Sequence, residues 1–96
     1  MTLQEFKSSL QSSQPPLGIS DLLRALWHDS KQDWNTSHNI AQEIETSDGS
    51  WVHAYLHRKE GDESNARYWY SRAGKKFPKA SLEEEWEEIV EMLLKS

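Results

Sequence analysis

Residues 53–74, HAYLHRKEGDESNARYWYSRAG, constrain the fold more than any other part of the chain. Apolar and aromatic side chains recur there at helical spacing on both sides of a Gly61-Asp62 break. A glycine readily ends one helix and an aspartate caps the next. The segment therefore predicts two short helices joined by a tight turn. It also holds two of the four histidines, all three tyrosines and four basic residues. That is more chemistry than a packed hairpin needs, which makes this segment the first place to look for function.

The same reading extends along the chain, where six helical segments can be drawn and no strand-like alternation appears. The first spans about residues 2–12, with Leu3, Phe6 and Leu10 on one face, before Pro15, Pro16 and Gly18 interrupt the chain. The second begins at Ser20 as N-cap, with Leu22, Leu23, Leu26 and Trp27 on its apolar side. The third runs from about Asp33 to Glu45, and the run TSDGS, with Gly49 as its turn residue, is expected to end it. The fourth covers Ser50 to Glu60. In the fifth, Ala66, Trp69, Tyr70 and Ala73 share a face, and the alanines allow a neighbour to approach closely. Ser81 and Glu84 form a capping box for the last helix, whose stripe is Leu82, Trp86, Ile89, Val90 and Leu93.

The expected fold is all-α: a compact array of five to six short helices with antiparallel hairpins, in one domain over residues 1–96. Residues 1–18 are expected to be a loosely attached helix and linker. A chain of 96 residues buries only a modest core, so five tryptophans matter for its stability. There is no cysteine, which excludes disulfides, thiolate metal sites and a cysteine nucleophile. The formal charge of −5 argues against general nucleic-acid binding, since phosphate neutralisation needs a cationic surface. No apolar run approaches the roughly 18 residues of a membrane span, and no signal pattern opens the chain. A cytoplasmic protein is the resulting expectation. A homodimer would fit a domain of this size, because small domains often gain core by association.

The run AYLHRKEGDESNARYWYSRAGKKFP resembles one helical pair of the tetratricopeptide class, in its Sel-like variant. Gly61, Ala66, Trp69-Tyr70 and Arg72-Ala73-Gly74 carry that likeness, which implies packed helical hairpins. A full array stacks at least three such units, and one is visible here. Trp34 through His38, followed by His53 through Tyr70, is also similar to a family of small uncharacterised microbial helical proteins. That second resemblance implies a fold type and no activity.

His53 and His57 are four residues apart and share a helical face. Two such histidines can bind a metal, as in H-E-x-x-H zinc hydrolases, but Ala54 stands where that motif needs its glutamate. If the third and fourth helices form a hairpin around Asp48–Gly49, His38 falls opposite His57. A metal site from His38, His53 and His57, with Glu60 one turn on, then becomes geometrically available to zinc. The competing reading is a set of hydrogen-bonded interface histidines.

On the fifth helix, Asn65, Trp69 and Arg72 form a second stripe suited to a carboxylate or a planar ligand. The plainer alternative is that Arg72 stacks on an aromatic or pairs with the acidic last helix. Trp34 completes the set of candidate ligand-binding residues. No serine sits in a nucleophile elbow, and no glycine loop cradles phosphate. The six glutamates after Ala80 read as a solvated face. The favoured function is a non-enzymatic module that binds a protein segment or a small anionic ligand, with no cofactor. The alternative is a small enzyme or metal-binding protein built on the histidines.

Overall fold

Six residues suited to N-capping start six helices, and each accepts a backbone hydrogen bond from the first turn it caps. The computed structural model describes residues 1–95. Its helices are α1 (Leu3–Ser9), α2 (Asp21–Ser30), α3 (Trp34–Gln42), α4 (Ser47–Lys59), α5 (Glu63–Arg72) and α6 (Leu82–Leu94). The caps are Thr2, Ser20, Asp33, Thr46, Asp62 and Ser81. Thr2 with Glu5 and Ser81 with Glu84 form complete capping boxes. The fold is all-α, with no strand among the described residues. No helix among them is long and apolar enough to cross a membrane.

From α2 to α5 each helix packs on the next, and α6 closes the array against α1, α2 and α4. α4 lies at the centre, in contact with α2, α3, α5 and α6. Every residue from Gly49 to His57 is consequently buried. Both the apolar and the imidazole-bearing sides of α4 face other helices, as a middle helix requires.

One boundary differs from the expected one. α3 stops at Gln42, and Thr46 already caps α4. Gly49 is therefore not a turn residue but part of the first turn of α4, where its N–H donates to Thr46 Oγ1 at 3.0 Å. Glycine is needed there for a different reason. A Cβ at this position would lie 2.0 Å from the Ile44 carbonyl oxygen. The chain doubles back so tightly that only a hydrogen fits. At Gly61, by contrast, the α4–α5 turn takes φ +89°, the left-handed region that favours glycine.

α1 is firmly seated. Phe6 is fully buried and packs on Trp86, with ring centroids 5.8 Å apart. Lys7 pairs with Glu87, and the Lys31 ammonium donates to the carbonyls of Leu10 and Ser12. Burying a phenylalanine contributes about 1.5–3 kcal/mol, enough to hold a seven-residue helix against fraying.

The glutamates of α6 are exposed apart from Glu87, half-buried in its pair with Lys7, and Glu85, which is 1% exposed. Its carboxylate accepts from Trp51 Nε1 at 3.1 Å, from Arg58 at 2.8 Å and from the Tyr70 hydroxyl at 2.6 Å. This knot joins α4, α5 and α6. Burial and the adjacent Glu85 push the Tyr70 phenol upward, so it remains a donor. The expectation of a uniformly solvated glutamate face fails most fully at Glu85, because Glu85 lies beside the Leu82/Trp86/Ile89 stripe.

Candidate functional site

α3, α4 and α5 bring five aromatic rings into one array. Trp34 on α3 fixes the register by donating its indole N–H to the Leu56 carbonyl on α4 at 2.8 Å. One turn later His38 lies flat against Trp34, with centroids 4.7 Å apart and planes 10° from parallel. On α4, His53 and His57 stack on each other at 4.9 Å. Trp69 of α5 covers the outer side of His53 at 4.1 Å and 20°. The imidazoles are thus held between two indoles, one from α3 and one from α5.

The earlier start of α4 decides which histidines meet. His38 contacts both histidines of α4, and its direct hydrogen bond is to His53, with Nε2 atoms 2.9 Å apart. Expectation had placed it opposite His57. One ligating nitrogen from each of His38, His53 and His57 can be chosen so that all lie within 4.8 Å of one another. His53 and His57 are 6% and 7% exposed, while His38 is half-buried.

Glu60, the C-cap of α4, stands apart from this trio. Its Oε2 lies 2.7 Å from His57 Nδ1. A carboxylate only accepts, so in the neutral ring the proton sits on Nδ1 and the lone pair on Nε2. Burial pushes His53 down to about 4, with His38 and His57 adding to the effect. His38 is lowered as well, by burial and then by His57, with Glu60 opposing. Near neutral pH these two rings are uncharged and each keeps a lone pair.

The donor set fits a transition metal. Imidazole nitrogen suits zinc, copper, nickel and iron. Tetrahedral zinc with bonds of about 2.0–2.1 Å separates its ligand nitrogens by about 3.3 Å. His38 and His53 would part by a few tenths of an ångström to accept such an ion. A carboxylate on the remote nitrogen of a ligand histidine is the usual way such a ring is oriented.

Not every sequence-predicted residue joins the site. Trp34, His38, His53, His57, Glu60 and Trp69 are assembled as described. Arg72 extends the array outward: its guanidinium sits over Trp69 at 5.6 Å, and it donates to the Tyr68 hydroxyl at 2.9 Å. It stacks on aromatics and makes no pair with α6. Asn65 lies outside the site. Its side chain donates to Asp62 at 3.3 Å, reinforcing the cap of α5. Sequence reasoning missed a cleft of about 370 Å³ next to His53, bordered by the end of α3, the Ile44–Thr46 turn, the start of α4, Trp69 and Arg72. The Thr46-to-Gly49 capping interval was the available signal, since it turns the TSDGS loop into a helix start.

No protein-family model matches the chain, and neither a curated protein nor a solved structure shows significant similarity to it.

Proposed function

We propose that this chain is a divalent-metal-binding helical protein whose ligands are His38, His53 and His57, with Glu60 orienting His57. The observation that carries this reading is the meeting of three imidazoles, their ligating nitrogens within 4.8 Å of one another. Burial supports it: three imidazoles gathered away from water share one mutual hydrogen bond and the Glu60 contact, whereas a shared cation would engage a lone pair of all three. Three protein ligands leave at least one coordination position for an exogenous group, and a bound ion there would supply Lewis acidity. The chain's own contribution is to hold the three rings between Trp34 and Trp69, keep His38 and His53 neutral, and set the His57 tautomer. The convergence of the rings ranks this reading above the interaction module that the sequence alone favours.

The test is metal analysis of untagged protein. One equivalent of zinc, copper, nickel or iron per chain is expected, either as purified or after titration of chelated protein. Loading should raise the melting temperature, and His57→Ala should abolish both effects. Protein that takes up no stoichiometric metal and melts identically with and without chelator would refute the proposal.

A further inference from the structure

The cleft beside His53 is lined by two residues of opposite charge, Glu45 and Arg72, and neither makes an ion pair among the described residues. Of the four arginines, Arg24, Arg58 and Arg67 each pair with a carboxylate, to Asp21, Glu85 and Glu63. Arg72 has no carboxylate partner among the described residues; it leans on Tyr68 and Trp69 instead. Glu45, on the same cleft, makes no ion pair among the described residues, with Arg72 or with any other cation. Thr46, Ser47 and Ser50 make much of the lining polar. Trp69 and His53 also line it. The volume, about 370 Å³, lies at the small end of ligand pockets.

From this we infer that the cleft binds a small zwitterion of the α-amino-acid type, its carboxylate on Arg72 and its ammonium on Glu45. A guanidinium pairs with a carboxylate through two parallel hydrogen bonds, which fixes orientation as well as charge. A simple anion would satisfy Arg72 but would be repelled by Glu45; a simple cation would meet the reverse. A ligand bearing both charges a few bonds apart meets neither penalty. The polar wall favours a small polar side chain over a long apolar one. The two charges the inference rests on, Arg72 and Glu45, are not metal ligands, although His53 borders both sites.

The experiment uses the full chain, treated with chelator, and two-dimensional NMR of its amides and indoles. The standard amino acids are titrated one by one at millimolar concentration. Saturable shifts are expected at the Trp69 indole N–H and in the amides of Ser47 to Ser50. The carboxamide of the bound amino acid and its N-acetyl derivative should each bind about tenfold more weakly or not at all. Arg72→Ala and Glu45→Gln should do the same. Both positions are exposed, and an unchanged melting temperature shows that each variant is folded. Arg67→Ala, on the same helix as Arg72 but not lining the cleft, should leave amino-acid binding intact. The inference is overturned if no standard amino acid gives a saturable shift. It is also overturned if the N-acetyl derivative binds as well as its parent, or if binding survives both charge substitutions.

Discussion

Glu60 holds His57 by one ring nitrogen: its Oε2 lies 2.7 Å from Nδ1, which leaves Nε2 as the nitrogen free for the proposed metal. Removing this restraint should therefore weaken metal binding without removing a ligand. Glu60→Ala is expected to lower zinc affinity by roughly 10–100-fold, as for other carboxylates that orient ligand histidines. Competition with a chromophoric chelator measures it. Affinity equal to that of the wild type would mean that the Glu60 contact plays no part in binding.

The depressed His53 gives the metal-free protein a signature in its pH dependence. Its ordinary value of 6.5 applies in the unfolded chain, and about 4 applies in the folded one. Between those values the unfolded state binds more protons, so stability falls as pH drops from 6.5 toward 4 and this contribution levels off below. Urea titrations across that window should show a steeper loss in wild type than in His53→Gln. Parallel curves for the two proteins would contradict the burial argument.

Glu85 ties α4, α5 and α6 together through three donors. Glu85→Ala strands the Arg58 guanidinium, the Tyr70 hydroxyl and the Trp51 indole N–H together. Breaking a buried ion pair by removing one partner costs about 3–5 kcal/mol, and a loss of that order is expected in chemical denaturation. Substitution of Glu84 or Glu88 on the exposed side of α6 should change stability far less. Equal effects at all three positions would show that the knot is not what stabilises this corner.

At Gly49 two effects oppose each other. Alanine in a helix is favoured over glycine by about 1 kcal/mol. Here, however, its Cβ would lie 2.0 Å from a backbone oxygen that cannot move alone. Overpacking of this kind costs about 1–3 kcal/mol, so Gly49→Ala should destabilise the protein on balance. It should also lower metal uptake, because relief of the clash moves α3 against α4 and so moves His38. A more stable Gly49→Ala variant would mean that the turn relaxes freely.

The attachment of α1 is equally open to measurement. Phe6→Ala should cost about 3–5 kcal/mol, the usual penalty for truncating a buried aromatic. A loosely attached helix would show almost none.

How much of this was legible in the sequence depended on whether the signal was local. Ser20, Asp62 and Ser81 announce their helices because capping needs only neighbouring residues, and those three starts stand where expected. The His53/His57 pair was legible for the same reason. The contact of His38 with His57 was expected too, but the hydrogen bond between His38 and His53 was not, because it depends on where α4 begins. TSDGS suits a loop as well as a cap with its first turn, and the choice is made by the close approach of Gly49 to Ile44. Misplacing that turn hid the cleft as well, since Thr46 and Ser47 then read as linker between helices ending at Glu45 and starting at Ser50. Glu85 was obscured differently. By residue type it matches its five acidic neighbours on α6. Its helical phase, three after Leu82 and four before Ile89, was the clue to burial.

The ring array that joins Arg72, Trp69, His53, His38 and Trp34 draws on three helices, yet all three histidines precede α5 in the chain. A fragment ending before Glu63 would retain every proposed ligand and lose the indole that packs against His53. Metal capture by a growing or clipped chain would therefore report more than the presence of its histidines: it would register whether α5 has docked, making occupancy an assay of the finished tertiary structure.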